Sequence, residues 1–283
     1  MAPNKLTRGL TGVLVPAARQ KGIPVYSVSN SIDIVLLGAE GYKDVDPGQL
    51  DHFDRQIVVN NYRRTYLERT GHDLNRIVVA GSPRSCVEWT KFRRQTNAIQ
   101  PVEVEDSEGR LKILVFGRTP EPCLTDDYIA TLNKIAELDF VKIVLKLKPQ
   151  SDFTASYLTE LDKNIVLRSD RDTFQFSLWA DVALGITTTA LIEPMMLNIP
   201  IIDLGHLRVL PTNYASAGAC WSSNSASHLV DLLHKLHSEY PPSSYPWDIV
   251  ESYLQENVVA EAPNGDVLGY HEKLLVTDPA TVQ

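Results

Sequence analysis

The stretch ADVALGITTTALIEPMMLNIPIIDLG, residues 180–205, decides how the rest of the chain is read. It opens with an apolar run, Ala180 to Ile186, of the length and composition of a fully buried strand. Thr187, Thr188 and Thr189 follow, and then an apolar, helix-like segment with a single carboxylate, Glu193. Asn198 and Pro200 stop that helix, and Ile201 to Leu204 form a second buried strand. Strand, hydroxyl-rich turn, helix and return strand make a βαβ unit. Its turn lies where parallel α/β sheets take ligands. Orphan N–H groups and the dipole at a helix start, joined by hydroxyls, suit a phosphate. Glu193, one turn further in, suits ribose hydroxyls. The stretch predicts a nucleotide site.

Outward from it the same alternation recurs. Leu111 to Phe116 reads as a strand ending in Gly117-Arg118-Thr119-Pro120, and Asp126 to Asp139 as a helix with Ile129, Leu132, Ile135 and Ala136 at helical spacing. Lys142 to Leu147 is a strand closing on Lys148-Pro149. Residues 157–163 end a short helix, Ile165 to Leu167 is a strand and Thr173 to Trp179 a helix. After a loop from His206 to Ser225, Ala226 to Glu239 is an amphipathic helix. Such alternation predicts a parallel, doubly wound sheet. Upstream, residues 9–21 read as a helix, and Ile23 to Val28, Ile32 to Leu37, Gln56 to Val59 and Arg76 to Ala80 as strands. Residues 38–54 read as loop, and Asn60 or Asn61 caps a helix from Tyr62 to Thr70. A helix rich in Trp89, Phe92 and basic residues follows Gly81-Ser82-Pro83-Arg84, and the polar, acidic residues 97–109 read as a linker. After Pro241-Pro242, residues 247–256 read as helical and 266–276 are ambiguous.

The composition excludes several classes. The chain has 283 residues, 43% hydrophobic and 22% charged, which is ordinary for a globular protein with ample core. A net charge of -8 is the wrong sign for a general nucleic-acid binder. No apolar run approaches the roughly 20 residues of a membrane span. In the first residues Pro16, Arg19, Gln20 and Lys21 break a signal-peptide pattern. Cys86, Cys123 and Cys220 are odd in number and far apart, so neither a disulfide framework nor a zinc cluster is indicated. A cytoplasmic location is expected.

With these elements in order, four segments together resemble the GT-B glycosyltransferases, in particular the bacterial capsule-polysaccharide, polysialyltransferase-like and CDP-glycerol glycerophosphotransferase-like group. They are AARQKGIPVYSV (17–28), RIVVAGSPR (76–84), KILVFGRTP (112–120) with KIVLKLKPQ (142–150), and ADVALGITTTALIEPMMLNIPII (180–202). The resemblance covers residues 10–240, mostly as pattern. It implies the C-terminal, donor-binding half of such an enzyme with a truncated N-terminal domain, a complete one carrying about another 100 to 200 residues upstream. Two motifs depart from the group: its His-Gly pair reads Ser29-Asn30-Ser31, and its His-Pro reads Lys148-Pro149. The implied fold class is α/β, a Rossmann-like doubly wound parallel sheet preceded by a partial α/β segment. Residues 1–107 form the partial domain and hinge, 108–240 the nucleotide-binding domain, and 241–283 a tail packing back on the first segment.

Each candidate residue has a plain reading beside the functional one. Thr187, Thr188 and Thr189 suit a phosphate, or one is an N-cap and the others pack. Glu193, costly in an apolar helix without a partner, suits a ribose or solvent. Arg118, with Gly117 and Thr119 at a strand end, suits a diphosphate, or is a surface arginine in a turn. Lys146 and Lys148 share one strand face and would neutralise a leaving nucleotide, or reach solvent at the sheet edge. Ser82 and Arg84 fit a structural turn equally well. His206 is a weak catalytic candidate, since a lone loop histidine is usually only that. His234 and His237, spaced i, i+3, have no third ligand, and no metal is expected. The tryptophans, Trp89, Trp179, Trp221 and Trp247, read as packing residues.

The resemblance implies a metal-independent transferase that binds a nucleotide-activated sugar or polyol phosphate as substrate, with no cofactor. Its acceptor would be a glycan hydroxyl, with peripheral membrane association through that acceptor and no nucleic acid. In this fold the catalytic base comes from the N-terminal domain, so none is assigned. The alternatives are a nucleotide-sugar epimerase or hydrolase on the same fold, and a non-catalytic nucleotide-binding or assembly subunit.

Overall fold

In the computed structural model, residues 10–29, 32–33, 53–97, 102–105, 107–117, 125–147, 158–170 and 172–276 are described. The chain divides into two compact units. The described part of the first runs to Trp89 and resumes at Leu254; that of the second runs from Thr90 to Tyr253.

The first unit holds α1 (Leu10–Gln20), β1 (Tyr26–Val28), β2 (Arg55–Val58), α2 (Asn61–Arg69) and β3 (Ile77–Val79), and the start of α3 (Val87–Asn97). Its three strands pair in parallel in the order β1-β2-β3. The Asn60 side chain caps α2 by accepting from the Arg63 N–H at 3.0 Å. The chain then returns: a π-helical turn (Gln255–Val259) and α10 (Val267–Val276) complete the core. Val259, Ala262 and Val267 pack on Cys86, and Leu274 packs on Ile57 and Ala80. Gly81, at φ +76°, admits this return, because a Cβ there would lie 2.7 Å from the carbonyl oxygens of both Val258 and Val259. The ambiguous residues 266–276 are thus a helix, ordered by burial of Val267, His271 and Leu274.

The second unit is built on a six-stranded parallel sheet in the order β6-β5-β4-β7-β8-β9. Its strands are β4 (Leu111–Phe116), β5 (Val141–Lys146), β6 (Ile165–Arg168), β7 (Val182–Gly185), β8 (Ile201–Asp203) and β9 (Trp221–Ser222). The central strands are nearly continuous apolar runs, because both faces of a parallel sheet are covered. On one face Leu111, Ile113 and Val115 of β4 and Val141, Ile143 and Leu145 of β5 join α4 (Thr125–Ala136) and α8 (Ala226–Ser238) in one core cluster. The other crossovers, α5 (Thr173–Trp179) and the short α6 (Ile192–Met196), pack on one another, with Phe174, Leu197 and Ile199 clustered between them. The unit ends with α7 (Asn213–Ser216) between β8 and β9, and α9 (Trp247–Leu254) after α8.

The fold is α/β and Rossmann-like, as expected. One reading is corrected: residues 206–225 are not a plain loop. They hold a 3-10 turn (Gly205–Leu207), α7 and the sheet-extending β9. A two-residue strand is too short to show a period, which is why the sequence pattern hides it. Among the described residues no helix is long and apolar enough to cross a membrane.

Candidate functional site

The strand order reverses between β4 and β7. From β4 the chain moves outward through β5 to β6, then crosses back to β7 and continues to β8 and β9. A reversal of this kind opens a crevice at the carboxyl ends of the two central strands. Gly117 closes β4, its N–H donating to the Lys146 carbonyl at 2.9 Å. Thr187 to Thr189 follow β7. The turn is tight and strained. Thr187 has φ +42°, a left-handed conformation that is a genuine outlier for a β-branched residue. Gly185 is needed beneath it, because a Cβ there would meet the Thr188 Cγ2 at 2.7 Å and Leu191 at 3.2 Å.

The three threonines have different tasks. Thr188 Oγ1 accepts from the Ala190 N–H at 3.3 Å and caps the 3-10 turn (Thr189–Leu191) that leads into α6. Thr187 is half-buried and Thr189 exposed. The helix expected after the threonines is shorter than the apolar pattern suggests, a 3-10 turn followed by five α-helical residues. It is stopped as expected by Asn198, left-handed at φ +58°, and Pro200.

Glu193 lies on α6 with its side chain 12% exposed. It pairs with Arg93 of α3, Nη1 to Oε1 at 2.9 Å, a partner 100 residues away in the sequence. Lys146, the last residue of β5, is buried, and its Nζ donates to the Leu147 carbonyl at 3.0 Å. Burial pulls its ammonium below the usual lysine range, against the opposing charges of Asp170 and Asp172. Arg118, Thr119 and Lys148 lie outside the described residues.

Beyond β8 is a polar network that the sequence pattern does not announce, since Asp203 reads as part of an apolar strand. Asp203 is fully buried and accepts from Arg208 Nη1 at 2.6 Å and from the Tyr214 hydroxyl at 3.4 Å. The Ser222 hydroxyl donates to it at 3.5 Å. Burial holds the carboxyl above its ordinary range, against the pull of Arg208 and the hydroxyls. Tyr214 also meets the Thr212 side chain and the Thr188 backbone, which ties the network to the threonine turn. Arg208, about a quarter exposed, bonds Thr212 Oγ1 at 3.2 Å as well. The one available signal was an aspartate inside an otherwise apolar strand.

His206 sits on the α4 side of this edge. Its Nε2 is 3.2 Å from Thr131 Oγ1 and its Nδ1 3.1 Å from Ser223 Oγ. Burial lowers its pKa, against the Ser223 backbone and the Asp127 charge. Both ring nitrogens therefore brace β8, β9 and α4. His234 and His237 pack against Phe140, with ring centroids 4.8 and 4.4 Å apart. Ser82 and Arg84 belong to the first unit, where the Ser82 N–H donates to the Val258 carbonyl at 2.7 Å.

No family model and no curated protein matches the chain. Solved structures do. The fold is similar to that of S. aureus MnaA in a structure with UDP, at TM-score 0.62 and 13% identity over 93% of this chain and 72% of that one. It is similar to UDP-GlcNAc 2-epimerase from Neisseria meningitidis bound to UDP-GlcNAc, at TM-score 0.59 and 12% identity over 95% and 74%. Anabaena HepE in complex with UDP and glucose matches at TM-score 0.58 and 10% identity over 93% and 74%. At such identities the similarity is one of fold, and the fold is of the GT-B kind. The narrower capsule-polysaccharide grouping goes beyond it.

Proposed function

We propose that the second unit binds a nucleotide-activated sugar at the carboxyl edge of β4 and β7, and that the chain serves its transfer to an acceptor hydroxyl. The observation that carries this reading is the strained, hydroxyl-rich turn at Thr187 to Thr189, seated where the strand order reverses. In this reading Gly117, Arg118, Thr119 and the threonine turn take the diphosphate, Lys146 and Lys148 supply positive charge, and Glu193 accepts from the ribose. The GT-B fold shared with proteins solved with UDP or UDP-sugars supports it and makes UDP the first nucleotide to try.

In such a transfer the acceptor oxygen bonds to the anomeric carbon and loses its proton. The bond from that carbon to the phosphate oxygen breaks, and the nucleoside diphosphate leaves with the electron pair. For a polyol-phosphate donor the attack falls on phosphorus instead. The protein's share is positioning, together with stabilisation of charge on the departing nucleotide. No described residue is assigned as the base.

The test is thermal stabilisation of the purified chain by UDP, CDP, CMP, GDP and their sugar conjugates. A ligand at a hundredfold excess over its Kd adds about 2.7 kcal/mol to the native state. A shift with one nucleotide, lost in Glu193→Ala and Thr188→Val, supports the site; no shift from a folded chain overturns it. A second reading, epimerisation of the sugar at C2, is favoured by the similarity to UDP-GlcNAc 2-epimerases. Incubation with UDP-GlcNAc, followed by proton NMR, separates the two. A C2 epimer formed without acceptor marks an epimerase, and acceptor-dependent release of UDP marks a transferase.

A further inference from the structure

Arg93 has an unusual setting for a helix-surface arginine. Its side chain is 14% exposed. Nη1 reaches Glu193 Oε1 at 2.9 Å, and Nη2 reaches Asp172 Oδ2 at 2.8 Å. The guanidinium lies over the Phe174 ring at 4.2 Å. Asp172 is itself fixed, because its other oxygen caps α5 by accepting from the Gln175 N–H at 3.0 Å. The neighbouring Arg94 donates from Nη2 to the Leu197 carbonyl at 3.3 Å, so consecutive arginines of α3 hold both ends of α6. The guanidinium thus bonds two carboxylates through two of its nitrogens while its carbon lies over an aromatic ring. A planar fork is suited to that arrangement, and an ammonium is not.

Its consequence falls on Glu193. A glutamate side chain free on a helix loses rotamer freedom when a ligand immobilises it, which weakens binding. Here the protein has already fixed it. A carboxylate has about four lone-pair sites, so a bond from Arg93 does not by itself exhaust what the group can accept.

We propose that Arg93 is a positioning residue that presents the Glu193 carboxylate to the ribose hydroxyls of the bound nucleotide and thereby sets a preference for ribonucleotides. The proposal rests on the nucleotide-site reading above. It assigns Arg93 no contact with the ligand, so its variants should act only where Glu193 acts. Arg93→Met removes both ion pairs and keeps much of the bulk. Arg93→Lys keeps the charge but cannot bridge two carboxylates from one plane.

The experiment is calorimetric titration of the full chain with UDP and 2′-deoxy-UDP, for wild type, Arg93→Met, Arg93→Lys and Glu193→Gln. The wild type is expected to prefer UDP by roughly tenfold or more, the size of one hydrogen bond to a charged acceptor. Arg93→Met should lose most of that preference while binding 2′-deoxy-UDP as the wild type does, and Arg93→Lys should fall between. The double variant Arg93→Met/Glu193→Gln should be no weaker than Glu193→Gln alone, since both act through one group. Should Arg93→Met fail to fold, Arg93→Lys carries the same comparison. A ribose preference that survives in the Arg93 variants but is lost in Glu193→Gln overturns this proposal and leaves the nucleotide site standing. Tighter UDP binding in Arg93→Met also overturns it, by making the ion pair a competitor of the ligand. A folded wild type that binds neither nucleotide overturns both.

Discussion

Thr187 is where the chain departs furthest from what its residue types prefer. A β-branched residue at φ +42° carries about 1 to 3 kcal/mol of strain. Asparagine tolerates that conformation far better. Thr187→Asn is therefore expected to raise stability by roughly 0.5 to 1 kcal/mol, read as a higher urea midpoint at unchanged slope. If the hydroxyl serves a phosphate, the same variant should bind UDP less well. A variant both less stable and equally able to bind would remove the strain argument. His206 offers a second test. Its folded pKa lies below the ordinary value, so between the two the unfolded chain binds a proton that the native chain does not. Stability from this group is present above pH 6.5 and falls as the pH drops below it. In urea unfolding at pH 7.5 and 5.5, His206→Gln should lose less stability than the wild type over that interval. An equal loss would mean that His206 is not depressed. At this scale the sequence names residues but not their partners. The threonine turn and Glu193 stand out in the pattern, whereas Arg93, 100 residues from Glu193, has no local signal.

At the scale of elements, hydrophobic periodicity carries most of the information. β4 runs from Leu111 to Phe116 and α5 from Thr173 to Trp179, both at the expected residues. Long apolar strands and capped helices are encoded in their own sequence, but the edge of the sheet is not. β9 is only two residues long, so the outward N–H and C=O of Ile201 have no strand to meet. Tyr245 meets them instead. Its hydroxyl accepts from the Ile201 N–H at 2.9 Å and donates to the Ile201 carbonyl at 3.3 Å. Burial pushes this phenol well above its ordinary range, so it stays protonated and able to do both. Tyr245→Phe should cost about 1 to 3 kcal/mol, because it leaves a buried backbone amide unsatisfied while removing little apolar surface. Ser225→Ala, which deletes the cap that accepts from the His228 N–H at 3.0 Å, should cost about 1 kcal/mol. Chemical denaturation ranks the two. A Tyr245 variant no worse than the Ser225 variant would mean that water replaces the hydroxyl at the strand edge.

Over the described residues, the second unit is the single stretch Thr90 to Tyr253, and the first is drawn from the sequence on both sides of it. The first unit is closed only when the chain returns after Tyr253. Val258, Val259, Val267 and Leu274 are buried there, and each contributes about 1.5 to 3 kcal/mol, so their loss would remove roughly 6 to 12 kcal/mol. That is comparable to the whole stability of a domain. The second unit has its own core on β4, β5, β7, α4 and α8. The Tyr253 hydroxyl, which donates to Asn213 Oδ1 at 2.8 Å, ties its last helix down. A chain ending after Tyr253 should therefore lose the first unit and keep the second. Amide exchange should show β2 and β3 unprotected while β4, β5 and β7 stay protected. If the nucleotide site belongs to the second unit alone, the shortened chain should still be stabilised by UDP, provided that the full chain is. Continued protection of β2 and β3 would show that the returning segment is dispensable to the first core. Loss of protection in both units would show that the second cannot fold without the first. Only selective loss, with the nucleotide response retained, agrees with a donor-binding unit that carries its own fold.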